Sequence, residues 1–397
     1  MSNRRYRVLA VTSHPVQYMS PIYRRMAGHP RLELKVAYCT LRGAQEGYDP
    51  EFEANVKWDV PLLDGYDWVH VPNKGSGDES FWGLNNPGLW SLIRGGNFDA
   101  VLGFPGYRRF SFWIAWLRSR LSGAAFLSGT DAASLESRDG SSLKPLVKRV
   151  FWPILYRLAT QVIVPSTATK ELMLSLGLPP ERVTVTPYSV DNDWWFAKSA
   201  EVKPAKVRES WGIPPDGMVI LFCAKLQVWK RPMDLLRAFA EAKIEQGFLV
   251  FAGSGPHQQE LERAAGSLGI EGRVRFLGFM NQTQLPGVYT SADLMVLPSE
   301  YEPFAVVVNE AYCCGCPVVV SDRVGAGRDL VKPVDPRMIY RVGDISQLAG
   351  LLRELAGDSR RLEGLKSAVR DRIRVWSPEA NVSAVVDALD AIEGRRR

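Results

Sequence analysis

The chain has 397 residues with 46 % hydrophobic and 23 % charged content and a net charge of +6, the composition of a soluble globular protein with apolar residues enough for two cores. No apolar run reaches the length of a membrane span: residues 110–127 come nearest and are interrupted by Arg118 and Arg120. The charge is unevenly spread, with eleven basic against four acidic residues over 94–170 and five basic against ten acidic over 31–79. A basic lobe of this kind suits an anionic surface or substrate, and no nucleic-acid recognition motif accompanies it. The N-terminus MSNRRYRVLAVTSH has too short an apolar core for a signal peptide, and five cysteines, three of them in Cys313-Cys314-Gly315-Cys316, suit a reducing cytoplasm. That cluster lacks a second Cys/His pair at zinc spacing, so no metal site is read there.

In chain order, residues 7–12 read as a strand, followed by the loop Ser13-His14-Pro15-Val16-Gln17-Tyr18 and a helix to about residue 26. Doubly wound α/β domains begin this way, and ligands sit at such loops. A G-x-G-x-x-G fingerprint is absent. His14 stands at the C-terminal end of the first strand, which makes it a catalytic candidate, with a structural loop histidine as the alternative. Residues 32–39 form a second strand. Residues 40–90 are irregular and rich in aromatics: Tyr48, Phe52, Trp58, Tyr66, Trp68, Phe81, Trp82 and Trp90. They read either as an acceptor pocket or as a cover over the sheet edge.

A short strand over 99–103 precedes a helix over 106–121, and a second helix spans 146–158. Both mix arginine or lysine with large apolar residues and read as basic amphipathic helices, able to lie on anionic lipid or to turn one face to the core behind a solvated rim. Between them Phe126-Leu127-Ser128-Gly129-Thr130-Asp131 ends a strand; Asp131 is either a polar group near a reacting hydroxyl or a helix cap. Strands over 161–165 and 183–187 complete this half. Asp191-Asn192-Asp193 has the form of a metal-binding Asp-x-Asp, but it ends a domain and runs into Trp194-Trp195, so it is read as structural. The polar segment 199–208 reads as a linker.

In the second half, a strand over 218–224 is followed by Lys225 and Lys230, five residues apart, and a strand over 248–252 by Gly253 and Gly255. Residues 298–329 are the most informative. A buried strand leads into Glu302-Pro303-Phe304-Ala305, then a helix of about three turns closed by Gly315, then another strand. The helix mouth offers backbone N–H groups and a partial positive charge to a phosphate. Glu302 and Glu310, eight residues apart, lie roughly 12 Å from each other along a helix of 1.5 Å rise. Each carboxylate accepts hydrogen bonds from hydroxyls, a layout matching the sugar, diphosphate and ribose of a nucleotide sugar; the alternative is two solvated glutamates around an ordinary buried helix.

Glu302-Pro303-Phe304, the seven-residue spacing to Glu310, and Gly315-Cys316-Pro317-Val318-Val319 with Ser321 resemble the donor-site signature of family 4 glycosyltransferases, retaining enzymes of GT-B fold. The resemblance covers most of the chain from Arg7 and is strongest over 183–331. It implies two Rossmann-like doubly wound domains facing across a cleft: 1–198 for the acceptor, 199–375 for the donor, and 376–397 crossing back to the first. It implies that Glu302 contacts the transferred sugar and Glu310 the ribose, that the backbone at Phe304 and Ala305 holds sugar and phosphate, and that Lys225 and Lys230 neutralise the diphosphate without a metal. Gly253 and Gly255 join the donor site. Many relatives have Gly where this chain has Ala305, glycines where it has His14, and a His where Asp131 is the substitute.

The expected function is retaining, metal-independent transfer from a nucleoside diphosphate sugar to a sugar, lipid-linked or small-molecule acceptor. Expected with it are no cofactor, no nucleic-acid partner, cytoplasmic location with an anionic membrane surface as partner, and a context in cell-surface polysaccharide or glycolipid synthesis. The alternatives are a nucleotide-sugar epimerase or sugar phosphorylase of the same fold, and an inactive binding subunit. The intact set Lys225, Lys230, Glu302 and Glu310 speaks against the last.

Overall fold

Successive side chains of β1 (Tyr6–Thr12) point to opposite faces of a sheet, and both faces are buried. Tyr6, Val8 and Ala10 share one core with Ile22, Tyr23 and Met26, and with Val382, Val385 and Leu389 from the far end of the chain. Leu9 and Val11 share the other with Leu89, Phe112, Trp152 and Tyr156. Burial on both sides explains why Val8–Val11 is continuously apolar rather than alternating. The structure, a computed structural model, describes residues 4–49, 54–136 and 143–396.

After β1 come α1 (Met19–Gly28), β2 (Leu32–Tyr38), the antiparallel pair β3 (Gly47–Asp49) and β4 (Ala54–Val56), and β5 (Asp67–His70). Next are α2 (Gly88–Gly96), β6 (Ala100–Gly103), α3 (Phe110–Ser122), β7 (Ala125–Gly129), α4 (Leu143–Arg157), β8 (Gln161–Val164), α5 (Thr167–Ser175) and β9 (Val183–Val185). Apart from β3 and β4, these strands make one parallel sheet in the order β5-β2-β1-β6-β7-β8-β9.

The second half holds α6 (Asn192–Glu201), α7 (Pro204–Ser210), β10 (Met218–Cys223), α8 (Pro232–Ala242), β11 (Gly247–Ala252), α9 (Gln258–Ser267), β12 (Val274–Gly278) and α10 (Leu285–Thr290). It continues with β13 (Leu294–Leu297), α11 (Val306–Cys313), β14 (Val318–Ser321), β15 (Ile339–Tyr340), α12 (Ile345–Gly357), α13 (Ser359–Arg374) and α14 (Pro378–Arg396). Its parallel sheet runs β12-β11-β10-β13-β14-β15. Both sheets are doubly wound and Rossmann-like, and strand order reverses between β1 and β6 in one and between β10 and β13 in the other. Ligands bind outside the C-terminal ends of strands at such reversals.

The chain divides into two units, one of Met1–Glu46, Pro61–Ser189 and Ser377–Arg397, the other of Gly47–Val60 and Val190–Trp376. The first unit therefore ends at Ser189 rather than 198, because α6 packs on α10 and α11 of the second. α14 closes the first unit. The Arg31 guanidinium grips Asp390 at 2.8 and 2.6 Å, and the Tyr6 hydroxyl donates to Asp390 at 2.6 Å.

The aromatic stretch over 40–90 divides its labour. Tyr66 and Trp68 cover the sheet edge: the Tyr66 and Tyr38 hydroxyls meet at 2.6 Å, and Trp68 lies edge-on to Tyr38. Trp58 belongs to the second unit and packs beside Phe279. Phe81 and Trp82 cap the start of α3 against Phe110. Phe52 lies outside the described residues. β5 and α2 arise inside this stretch. β5 shows no apolar alternation because it is an edge strand, with Asp67 and His70 exposed at its ends. The helix expected from Gly106 begins at Phe110, since Arg109 is extended. Among the described residues no helix is long and apolar enough to cross a membrane.

Candidate active site

The second unit places two loops side by side at its reversal point, one after β10 and one after β13. The loop after β10 makes a tight turn over Val228–Lys230 and enters α8 through Arg231, whose left-handed backbone (φ 51°) precedes Pro232 at the first helical position. The loop after β13 lies along it. The Glu300 N–H donates to the Trp229 carbonyl at 2.8 Å, and the Arg231 guanidinium reaches Glu300 at 3.0 Å and Asp234 at 2.6 Å. This latticework brings the Lys230 ammonium onto the Glu302 carboxylate, both side chains less than one-fifth exposed. Residues 72 apart in sequence are thus paired at the strand ends. Lys225 is half-buried at the end of β10.

Beyond Glu302 the chain is pinned to the segment after β14. Gly325 donates to the Glu302 carbonyl at 2.9 Å and Ala326 to the Phe304 carbonyl at 2.7 Å. A Cβ on Gly325 would stand 1.9 Å from the Pro303 oxygen, so only glycine fits. Phe304 is buried and stacks on Trp376 with ring centroids 6.2 Å apart, so its side chain serves packing. Ala305 then turns with φ 88° and ψ 74°, a conformation glycine favours, and α11 begins at the next residue. The methyl group is accommodated at the cost of backbone strain. α11 has eight residues rather than three full turns. It closes in a Schellman pattern, with Gly315 donating to Tyr312 at 3.0 Å and Cys316 to Ala311 at 2.8 Å.

Glu310 sits midway along α11 and is 6 % exposed. Its carboxylate accepts from the Tyr289 hydroxyl at 2.8 Å. Burial pushes the Glu310 carboxyl up to about 7, and the Tyr289 hydrogen bond pulls the other way. Neither glutamate is a solvated surface residue. Tyr289, Arg231, Glu300 and Trp229 are the members of this site that motif spacing does not reveal, because their roles arise from contacts across elements; the one local signal is a residue of any type before a helix-opening proline.

Gly253 and Gly255 are accounted for by backbone packing. A Cβ on either would fall 2.1 Å from the Ala224 oxygen or 2.8 Å from the Leu226 oxygen, and Leu226 donates to the Ser254 carbonyl at 2.9 Å. They hold the loop that bears Lys225 and Lys230. Cys313, Cys314 and Cys316 are buried free thiols. Asp191 caps α6, accepting from the Trp194 N–H at 3.4 Å.

In the first unit His14 follows β1 at the reversal point. Its Nδ1 lies 2.9 Å from the Ser13 hydroxyl. Burial lowers its pKa, with Arg42 adding to the effect and Glu79 opposing it. Asp131 follows β7, two strands away, and is exposed; its carbonyl accepts from the Thr169 hydroxyl in the first turn of α5 at 3.4 Å. Its charge reaches Tyr18, Tyr156 and Tyr188, and the Tyr156 hydroxyl donates to Thr130 at 2.9 Å. Tyr18 and Tyr188 lie 5.6 Å apart between centroids. Tyr18 thus links the His14 loop to Asp131.

Comparison with known proteins identifies the family and the fold. The family described as Glycosyl transferases group 1 matches residues 204–372, and the Glycosyl transferase 4-like domain matches residues 5–189. The 2-deoxystreptamine glucosyltransferase of Streptomyces kanamyceticus is 30 % identical over 275 residues, 68 % of this chain and 66 % of its own length. The D-inositol 3-phosphate glycosyltransferase 2 of Catenulispora acidiphila is 38 % identical over 166 residues, 39 % of this chain and 38 % of its own length. The chain therefore spans about two thirds of one curated relative and under half of the other. The crystal structure of Anabaena HepE in complex with UDP and glucose superimposes with a TM-score of 0.72 at 18 % identity, over 97 % of this chain and 100 % of that one, a likeness of fold. Matched in both halves by glycosyltransferase domains and built on two Rossmann-like sheets, the chain belongs to the family 4-type glycosyltransferases of GT-B fold.

Proposed function

We propose that this protein transfers a sugar, with retention of anomeric configuration, from a nucleoside diphosphate sugar to an acceptor hydroxyl. The observation that carries the reading is the Lys230–Glu302 pair at the mouth of α11. A cation and a carboxylate stand together where first-turn N–H groups face outward, and Glu310 lies farther along the same helix. Lys225, Lys230 and those N–H groups supply positive charge for the departing diphosphate, so the reaction needs no metal. Glu302 accepts from hydroxyls of the transferred sugar and Glu310 from the ribose.

With Glu302 assigned to the sugar hydroxyls and Glu310 to the ribose, this reading leaves the donor set no carboxylate to act as enzyme nucleophile. The reaction is therefore same-face attack. The acceptor oxygen bonds to the anomeric carbon as the bond to phosphate breaks, and the leaving phosphate oxygen takes the acceptor proton. His14 and Asp131 are the acceptor-side candidates. The acceptor is a sugar, a lipid-linked sugar or another small polyol, in cytoplasmic synthesis of a polysaccharide or glycoconjugate.

Thermal unfolding of the metal-free protein with a panel of nucleoside diphosphates and their sugars tests this. One base should raise the melting temperature, since a ligand at one hundred times its Kd adds about 2.7 kcal/mol. No shift with any member would overturn the donor assignment.

A further inference from the structure

α4 is apolar on two faces. Trp152, Leu155 and Tyr156, spaced three and four apart, enter the core of the first unit. The opposite stripe is Leu143, Leu146, Val147, Val150 and Ile154, at the same spacing, and each is 59 to 72 % exposed. A helix against a core ordinarily turns a polar face to water; this one turns a row of aliphatic side chains about 17 Å long. The solvated polar rim expected of a core helix is missing from the face where it belongs.

The surroundings of the stripe are basic and aromatic. α3 and α4 together hold Arg118, Arg120, Lys144, Lys148, Arg149 and Arg157 and no acidic residue. The two helices are joined: the Trp116 indole N–H donates to the Leu158 carbonyl at 3.1 Å, and the Trp152 N–H to the Tyr107 hydroxyl at 3.0 Å. Trp82 is 58 % exposed beside Phe81 and Phe110. A cavity of about 520 Å³ is lined by Phe81, Tyr107, Arg108, Trp113 and, from α4, Phe151. Its walls are aromatic and its one charge is the exposed Arg108, a lining suited to a hydrocarbon chain ending in an anionic headgroup.

We propose that this face is a docking surface for an anionic lipid bilayer, with the α4 stripe sunk among the acyl chains and Arg108 and Arg149 at headgroup level. Aliphatic residues in a flat row, cations on helices that carry no acidic residue, and an exposed tryptophan are the elements of interfacial binding. Charge complementarity decides the occupant. A second copy meeting this face about a twofold axis would set one basic face against another, with no carboxylate in either helix to offset it.

The full-length protein is mixed with vesicles of phosphatidylcholine alone and of phosphatidylcholine with phosphatidylglycerol, then floated. It should rise with the anionic vesicles and not with the neutral ones. The pairs Val150→Glu with Ile154→Glu, and Arg108→Glu with Arg149→Glu, should each weaken binding about tenfold or more. All these side chains are exposed, so the melting temperature and the nucleotide-induced shift should stay at wild-type values. Failure of the wild-type protein to bind anionic vesicles would overturn the proposal, as would unchanged binding by Val150→Glu with Ile154→Glu. A dimer that the aliphatic pair dissolves, without vesicle binding, would assign the face to a second copy instead.

Discussion

Tyr289 donates its hydroxyl to Glu310 across 2.8 Å, and both side chains are closed off from solvent. The pair sets the protonation of the one carboxyl proposed to face the ribose. Burial raises Glu310 from 4.5 to about 7. A carboxyl raised on folding contributes stability that is full at low pH and is lost as pH rises through its folded value. Between about pH 4.5 and 7 the wild-type protein should therefore lose on the order of 3 kcal/mol relative to Glu310→Gln. Urea unfolding of both proteins across that range measures it, and parallel curves would refute the assignment.

The same group should make donor binding depend on pH. The ionised carboxylate is the better acceptor for ribose hydroxyls, so binding of the nucleoside diphosphate should weaken about five- to tenfold from pH 8 to pH 6. Titration of the phosphate itself contributes to that slope, which makes Glu310→Gln the control. Its slope should be shallower than the wild-type slope in calorimetric titrations. Equal slopes would remove Glu310 from the ribose site.

Lys230 and Glu302 should each be indispensable to transfer and dispensable to folding. Both side chains reach solvent at the strand ends rather than filling the core. Lys230→Ala removes a cation from the leaving diphosphate and should lower the transfer rate about a hundred- to a thousandfold. Glu302→Ala should do the same through the sugar. Near-wild-type rates of product formation in both variants would sink the donor-site assignment, provided circular dichroism shows them folded.

The turn into α11 should respond in opposite senses to two small substitutions. Ala305 has φ 88°, so Ala305→Gly should relieve strain and stabilise the protein by about 1 kcal/mol. Gly325→Ala would drive a methyl group into the Pro303 carbonyl and should destabilise by at least about 2 kcal/mol, with loss of donor binding. Thermal melts compare the two. A lower melting temperature for Ala305→Gly would mean that the methyl packing of this buried residue outweighs the strain.

The periodicities and punctuation of the sequence determined most of the architecture by themselves. Two-sided burial makes parallel strands continuously apolar, so β1, β10 and β13 are legible as runs, and Ser166 before α5 or Gly315 after α11 marks helix ends by local capping chemistry. The glutamates at 302 and 310 stand out by the motif around them, but Glu302 precedes α11, which begins at Val306, so helical rise alone does not set their separation. Tertiary structure alone decided the rest. β5 is an edge strand with polar ends, so its pattern resembles a loop until β2 pairs with it. Lys230 meets Glu302 because β10 and β13 are neighbours in the folded sheet, and Tyr289 meets Glu310 because α10 packs on α11. The outward stripe of α4 repeats at the same helical period as its core stripe, and no local rule tells which apolar face a helix will bury.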